Sequence, residues 1–184
     1  MEMRVVVGQP YRQTPVFSDK VTYMVLNPSW NVPDMIARKE ILPKVKKDPY
    51  YLTDQKIRVF EGWGAGTKEI DPSRVDWTRL SKKNLPYHFR QDPGPQNALG
   101  RIKFMFPNPY DVYMHDTPAK ELFDKTRRDF SHGCIRVEKP LDLAVYLMQN
   151  HAIWSREALT AALSDPNAVE CTIQLPEPVP IHIL

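Results

Sequence analysis

Tyr113-Met114-His115-Asp116 and, further along, Ser131-His132-Gly133-Cys134-Ile135-Arg136 are the stretches from which fold and chemistry are best read. Over Asp111–His115 the residues alternate as in a strand, with Val112 and Met114 on one face and Tyr113 and His115 on the other. His115 is therefore expected to enter a cleft beside Tyr113. Gly133 allows a sharp backbone turn just before Cys134, so that consecutive N–H groups can converge on an oxyanion. A cysteine is a nucleophile as its thiolate, and an imidazole or a set of backbone N–H groups brings its pKa from ~8.5 into the roughly 3.5–7.5 range. His115 and His132 are the candidate imidazoles, and Arg136 offers a bidentate clamp for a carboxylate. Spacing alone leaves three readings open: a buried structural cysteine beside ordinary histidines, a Cys/His acyl-transfer site, or a zinc site of His115, His132 and Cys134. The zinc reading lacks the paired CxxC or HxxxH spacing.

Outward from that stretch, short β-rich runs recur at Arg4–Val7, Val21–Asn27, Ile57–Glu61, Arg101–Phe106, Asp111–His115 and Glu170–Leu175, each bounded by Pro, Gly or Asn. Helical signals are fewer. Pro140 opens Leu141–Gln149, Ser155 caps a helix through Leu163, Thr117-Pro118 leads into Ala119–Lys125, and Met35–Lys46 reads as a helix broken around Pro43. The expected class is α+β, mainly β. Between Asn27 and Arg101 lies a polar, proline-punctuated segment too long for a plain loop. Trp30, Trp63, Trp77, Tyr50, Tyr51, Tyr87 and Phe89 fall in it, and either fill a small core of their own or form an inserted lid. Gly62–Thr67 superficially resembles a nucleotide loop but has Thr67 where GxGxxG needs glycine, and no βαβ unit surrounds it.

The 184 residues suit one domain, and 42% hydrophobic with 26% charged residues disfavours disorder and fibrous structure. Lys and Arg number 25 against 22 Asp and Glu, a net charge of +3 that excludes a dedicated nucleic-acid binder. No run approaches the roughly 18 apolar residues of a membrane span, and MEMRVVVGQP lacks the basic start and apolar run of a signal peptide. The 18 prolines show no period and so punctuate a fold rather than build a repeat. Two cysteines are too few for a disulfide-built scaffold, and Cys171 reads as a plain strand residue because no His or Gly stands near it.

The string His115…Ser131-His132-Gly133-Cys134-Ile135-Arg136 closely resembles the active-site signature of the L,D-transpeptidases, the YkuD-fold enzymes of peptidoglycan metabolism. Arg4–Gly8, Asn27–Pro33, Val75–Trp77, Pro93–Pro95 and Leu99–Phe104 resemble the large periplasmic branch of that family, which carries a capping insert. The resemblance implies a single catalytic domain over 1–184 with a YkuD-like β-sandwich and a lid inserted at about 28–100. It also implies a periplasmic protein, shortened at both ends relative to larger relatives. Residue by residue, it implies that Cys134 is the nucleophile and His115 its base. Asp116 orients His115 through its backbone carbonyl, Gly133 and Cys134 supply oxyanion N–H groups, and Ser131 and His132 belong to the same catalytic loop. Arg136, Tyr113, Trp30 and Phe104 are implied for substrate binding. The implied partners are peptidoglycan stem peptides and, as inhibitors, carbapenem β-lactams, with no metal or organic cofactor, no nucleic acid and no membrane insertion. An inactive peptidoglycan-binding module of the same fold and a zinc-dependent amidase are the competing readings.

Overall fold

The structure is a computed structural model that describes residues 1–149, 151–165, 167 and 169–184. Among these residues the strands in chain order are β1 (Val5–Gly8), β2 (Phe17–Leu26), β3 (Trp30–Asn31), β4 (Ile57–Glu61), β5 (Lys68–Ile70), β6 (Tyr87–Gln91), β7 (Ile102–Met105), β8 (Met114–His115), β9 (Asp129–Ser131), β10 (Ile135–Val137) and β11 (Cys171–Ile183). The helices are α1 (Asp34–Ile36), α2 (Leu42–Lys47), α3 (Tyr51–Asp54), α4 (Pro140–Leu147) and α5 (Arg156–Ser164). The fold is α+β and mainly β. The chain divides into two compact units, Met1–Pro28 with Pro93–Leu184, and Ser29–Asp92.

In the first unit seven strands follow the order β11-β2-β7-β8-β10-β1-β9. β7 alternates Ile102 and Phe104, fully buried, with Lys103 and Met105, half-buried, so one face enters a core and the other is left for chemistry. The core gathers Met24 and Leu26 of β2, Ile135 and Val137 of β10, Ala144, Leu147 and Met148 at α4, and Leu159 of α5. Pro140 stands at the start of α4, where its missing N–H costs nothing, and Ser155 Oγ accepts the Ala158 N–H at the start of α5. At the other end of α5 the Asn27 amide donates to the Ala162 carbonyl and the Arg101 guanidinium to that of Leu163, two acceptors the helix leaves unpaired. Asn27 and Arg101 also bond each other, Nε to Oδ1 at 2.7 Å.

The second unit has a four-stranded sheet of order β3-β6-β4-β5. Its inward face and helices bury Val32, Ile41, Leu42, Leu52, Val59, Trp77 and Phe89, with Trp30, Tyr51 and Tyr87 packed against them. Most of the aromatic side chains thus fill a core of this unit's own, while Tyr50 and Trp63 are exposed. Trp63 stacks on His88, ring centroids 4.3 Å apart.

Several elements differ from the sequence pattern. The helix expected to break at Pro43 continues from α1 through a π-helical stretch, Ala37–Ile41, into α2; the wider turn before Pro43 accommodates a residue with no N–H to donate. The expected helix at Ala119–Lys125 is a 3₁₀ segment, Lys120–Asp124. β11 runs on to Ile183 beyond Leu175 through Pro176, Pro178 and Pro180, with a register shift between Gln174 and Val179. Proline-rich sequence argues against a central strand, but β11 lies at the sheet edge, where it is tolerated. No helix among the described residues is long and apolar enough to cross a membrane.

Candidate active site

β8 and β10 run parallel and side by side, with Met114 opposite Ile135 and His115 opposite Arg136. One step earlier the Ile135 N–H donates to the Tyr113 carbonyl at 3.0 Å, which brings Cys134 to the level of Tyr113. Tyr113, His115, Cys134 and Arg136 therefore share one face, while Val112, Met114 and Ile135 turn into the core or pack against it. On the other side of β8, Lys103 of β7 stands opposite His115.

Cys134 is half-buried at the entry to β10. Its thiol lies 3.9 Å from the Asp111 carbonyl, a weak S–H donor contact. Burial pushes its pKa up, against the Tyr113 backbone N–H, the Tyr113 hydroxyl and the nearby charges of Lys103 and Arg136, which all favour the thiolate. Burial therefore acts against the low pKa of an activated thiol, and Tyr113, Lys103 and Arg136 act towards it. Burial and the same sulfur push the Tyr113 phenol up as well.

His115 is almost wholly buried. Its Nδ1 lies 2.5 Å from the Asp116 carbonyl oxygen, which only accepts, so Nδ1 carries the proton and Nε2 is the basic nitrogen. Burial lowers its pKa to about 4; the Asp116 contacts oppose this, and the charges of Arg136 and Lys103 reinforce it. The ring is neutral at physiological pH and sits 5.7 Å from the Tyr113 ring, centroid to centroid. The Asp116 carboxylate does not touch His115. It accepts the Arg101 N–H at 2.9 Å, the Thr117 N–H at 2.7 Å and the Lys120 ammonium, which fixes the carbonyl that holds the imidazole.

The loop before Cys134 is tied from within and from a neighbouring turn. Ser131 Oγ donates to the Cys134 carbonyl at 2.5 Å and accepts the Gly133 N–H at 3.1 Å. Gly133 takes φ of 123°, a conformation that favours glycine, and its carbonyl accepts from Thr14 Oγ1 at 2.8 Å. The expectation that Gly133 supplies an oxyanion N–H is corrected here, since that N–H is already spent on Ser131. The Cys134 N–H has no acceptor among the described residues. His132 lies half-buried in the same loop.

Arg136 is half-buried and its Nε has no acceptor among the described residues. Burial lowers its pKa, with Glu121 and Cys134 acting in the other direction. Phe104 is not a substrate contact: it is fully buried on the opposite face of β7 and belongs to the core. Trp30 lies in the second unit, packed against that unit's core. Lys103, Thr14 and Ser131's double hydrogen bond are the parts that the motif does not announce. Strand alternation over Arg101–Met105 is the signal that would have put Lys103 on the face of His115. Among the described residues no three His, Cys, Asp or Glu side chains come together as a metal-binding group.

The family model for the YkuD L,D-transpeptidase catalytic domain matches residues 1–157. A Haemophilus influenzae protein whose name gives L,D-transpeptidase as a provisional assignment is 36% identical over 179 residues, which is 97% of this chain and 35% of that protein. The chain thus spans about a third of the length of that relative. With a family match running from β1 through the start of α5, across every strand of the Cys134 face, the chain belongs to the YkuD family of L,D-transpeptidase catalytic domains.

Proposed function

We propose that this domain is a cysteine L,D-transpeptidase of the cell envelope, periplasmic in its working location, that acts on peptidoglycan tetrapeptide stems. The observation that carries the reading is the placement of Cys134 beside Tyr113 on the strand pair that also presents His115, whose Nδ1 is committed to the Asp116 carbonyl and whose Nε2 is left as a base. Cys134 attacks the carbonyl of the third stem residue, typically meso-diaminopimelate, while its proton passes to His115 Nε2. The Cys134 N–H is the donor available to the oxyanion. Collapse returns the proton to the departing amine, D-alanine leaves, and a thioester remains. The amine of a second stem then attacks the thioester, His115 takes its proton, and the Cys134 thiol is restored with a 3→3 crosslink formed. Arg136, with an unpartnered Nε, is suited to a stem carboxylate.

Intact-mass spectrometry after incubation with a carbapenem tests the reading. The expected result is one covalent adduct, absent in Cys134→Ala and retained in Cys171→Ala. Cys171 opens β11 and packs against the core, remote in role from the reaction. No adduct on the folded wild-type protein, or one that survives Cys134→Ala, overturns it. Loss of acylation on chelation with recovery by Zn²⁺ would favour a zinc amidase instead.

A further inference from the structure

The Cys134 face holds a positive charge that the reaction scheme above leaves without a task. Lys103 is half-buried on β7, directly across from His115, and its ammonium lies 4.0 Å from the centroid of the Tyr113 ring. It makes no salt bridge or hydrogen bond to a carboxylate among the described residues. Strand alternation leaves it no other direction, because Ile102 and Phe104 on either side are fully buried in the core. Lys103 is partly desolvated, with no carboxylate in hydrogen-bond contact among the described residues and only the through-space charge of Glu170 besides the sulfur to favour it, so the position makes physical sense where a further anion forms during turnover. The face supplies one, the sulfur of Cys134, whose thiolate form the Tyr113 hydroxyl and backbone and the charges of Lys103 and Arg136 all favour. Tyr113 is linked to both: its ring carries the ammonium over its face, and its phenol is raised in pKa by the same sulfur.

We infer that Lys103 is a positioning residue that, braced on the Tyr113 ring, supplies the charge that stabilises the Cys134 thiolate as its proton leaves. The inference deepens the reading of Cys134 as nucleophile and rests on it. Neutral, buried His115 is a weak proton acceptor, so a fixed cation shared with Arg136 lowers the cost of forming the sulfur anion during attack. The groups facing the sulfur or its partners are Tyr113 just before β8, His115 of β8, Arg136 of β10, Lys103 of β7, the Asp111 carbonyl and, acting on Tyr113, the Asp111 carboxylate. Asp116 acts on His115, Glu121 on Arg136 and Glu170 on Lys103. Burial pulls the Lys103 ammonium's pKa down and the Cys134 thiolate pushes it up, so the two titrations are coupled.

The test is the rate of Cys134 alkylation by iodoacetamide across pH 6 to 10.5, read on the Cys134 peptide by mass spectrometry. In Lys103→Met the midpoint should rise by about one pH unit, so that alkylation at pH 8 slows about ten-fold while the plateau at high pH is kept. Lys103→Arg, which preserves the charge, should stay within about three-fold of wild type. Lys103→Gln serves as a second neutral variant if the methionine does not fold. A measurement on the native lysine is also decisive: by reciprocity, a ¹³C-labelled Lys103 should titrate at lower pH in Cys134→Ala than in wild type. An unmoved alkylation profile in the neutral variants overturns the inference, and so does an arginine variant that shifts as far as the methionine. A profile unmoved while stem-peptide KM rises would assign Lys103 to a substrate carboxylate and equally overturn it. Carbapenem acylation separates the two levels: adduct formation with a Lys103-independent profile sinks only this inference, whereas a Lys103-dependent thiol that never acylates sinks the transpeptidase reading.

Discussion

His115 stays neutral because a buried imidazolium facing Lys103 and Arg136 would lack solvent and meet like charge on two sides. Its folded pKa of about 4 lies below the ordinary value near 6.5, so between these two pH values the unfolded chain takes up a proton that the folded one refuses. The stability due to neutral His115 is thus complete above about pH 6.5 and is lost as pH falls toward 4, by about 3 kcal/mol for this group alone. Denaturant midpoints measured at pH 7 and pH 4.5 should show that loss in the wild type and a much smaller one in His115→Gln. The same depressed pKa keeps the base competent in mild acid. The acid limb of single-turnover acylation is expected near pH 4 to 5 rather than at 6.5, and His115→Ala should slow acylation about 10²–10⁴-fold. Ser131 is a second residue of consequence. Ser131→Ala strands the buried Gly133 N–H and releases the Cys134 carbonyl, a change of about 1–3 kcal/mol in the native state. Slower carbapenem acylation with unaltered carbapenem affinity would show that the hydroxyl shapes the nucleophile loop, and unchanged acylation would contradict it.

Among the elements, the link from α5 to the site runs through Arg101, at the entry to β7. Asn27 and Arg101 hold the end of α5 by side chain, while the Arg101 N–H holds the Asp116 carboxylate. Gly100 makes that link possible. Its φ of 61° lies in the left-handed region, and a Cβ there would come within 2.4 Å of Asp116 Cγ. Gly100→Ala therefore combines backbone strain with displacement of a carboxylate that has three bonds to lose, and should destabilise the first unit by at least about 2 kcal/mol. Acylation should fall alongside, since the Asp116 carbonyl carries His115; thermal melts and acylation rates on the same preparation check both. This link also shows where sequence reading succeeds and where it stops. β4, from Ile57 to Glu61, and the capped start of α5 follow from local alternation and a serine hydroxyl, so both are legible in a short window. β9 and β10, three residues each, are too short to show an alternating run and owe their strand character to neighbours distant in sequence. The same holds at the site. Cys134, His115 and Arg136 stand in a readable motif, but the spent Gly133 N–H, the core position of Phe104 and the approach of Lys103 depend on register between β7, β8 and β10.

On the scale of the molecule, each of the two units has its own buried cluster. The lid expected of the insert at about 28–100, most of which is the Ser29–Asp92 unit, is tested by replacing that unit with a short Gly/Ser linker. If the unit selects the donor, stem-peptide turnover should fall much further than carbapenem acylation, since the small inhibitor needs little beyond Cys134, His115 and an oxyanion donor. A proportional fall in both would reduce the unit to a stabilising role. A feature at the opposite end of the chain bears on how the protein behaves in bulk. β11 forms one edge of the seven-stranded sheet, and Pro176, Pro178 and Pro180, all exposed, take three N–H donors out of it. The ladder to β2 is kept at Val179 and Ile181 on either side of Pro180, so the pairing inside the sheet survives while the free rim offers an incoming strand too few donors to grip. Concentrated solutions of the folded chain should consequently resist fibril growth from this rim. Pro178→Val, which restores one donor, should raise thioflavin fluorescence and the sedimentation-derived mass on prolonged incubation before it alters catalysis.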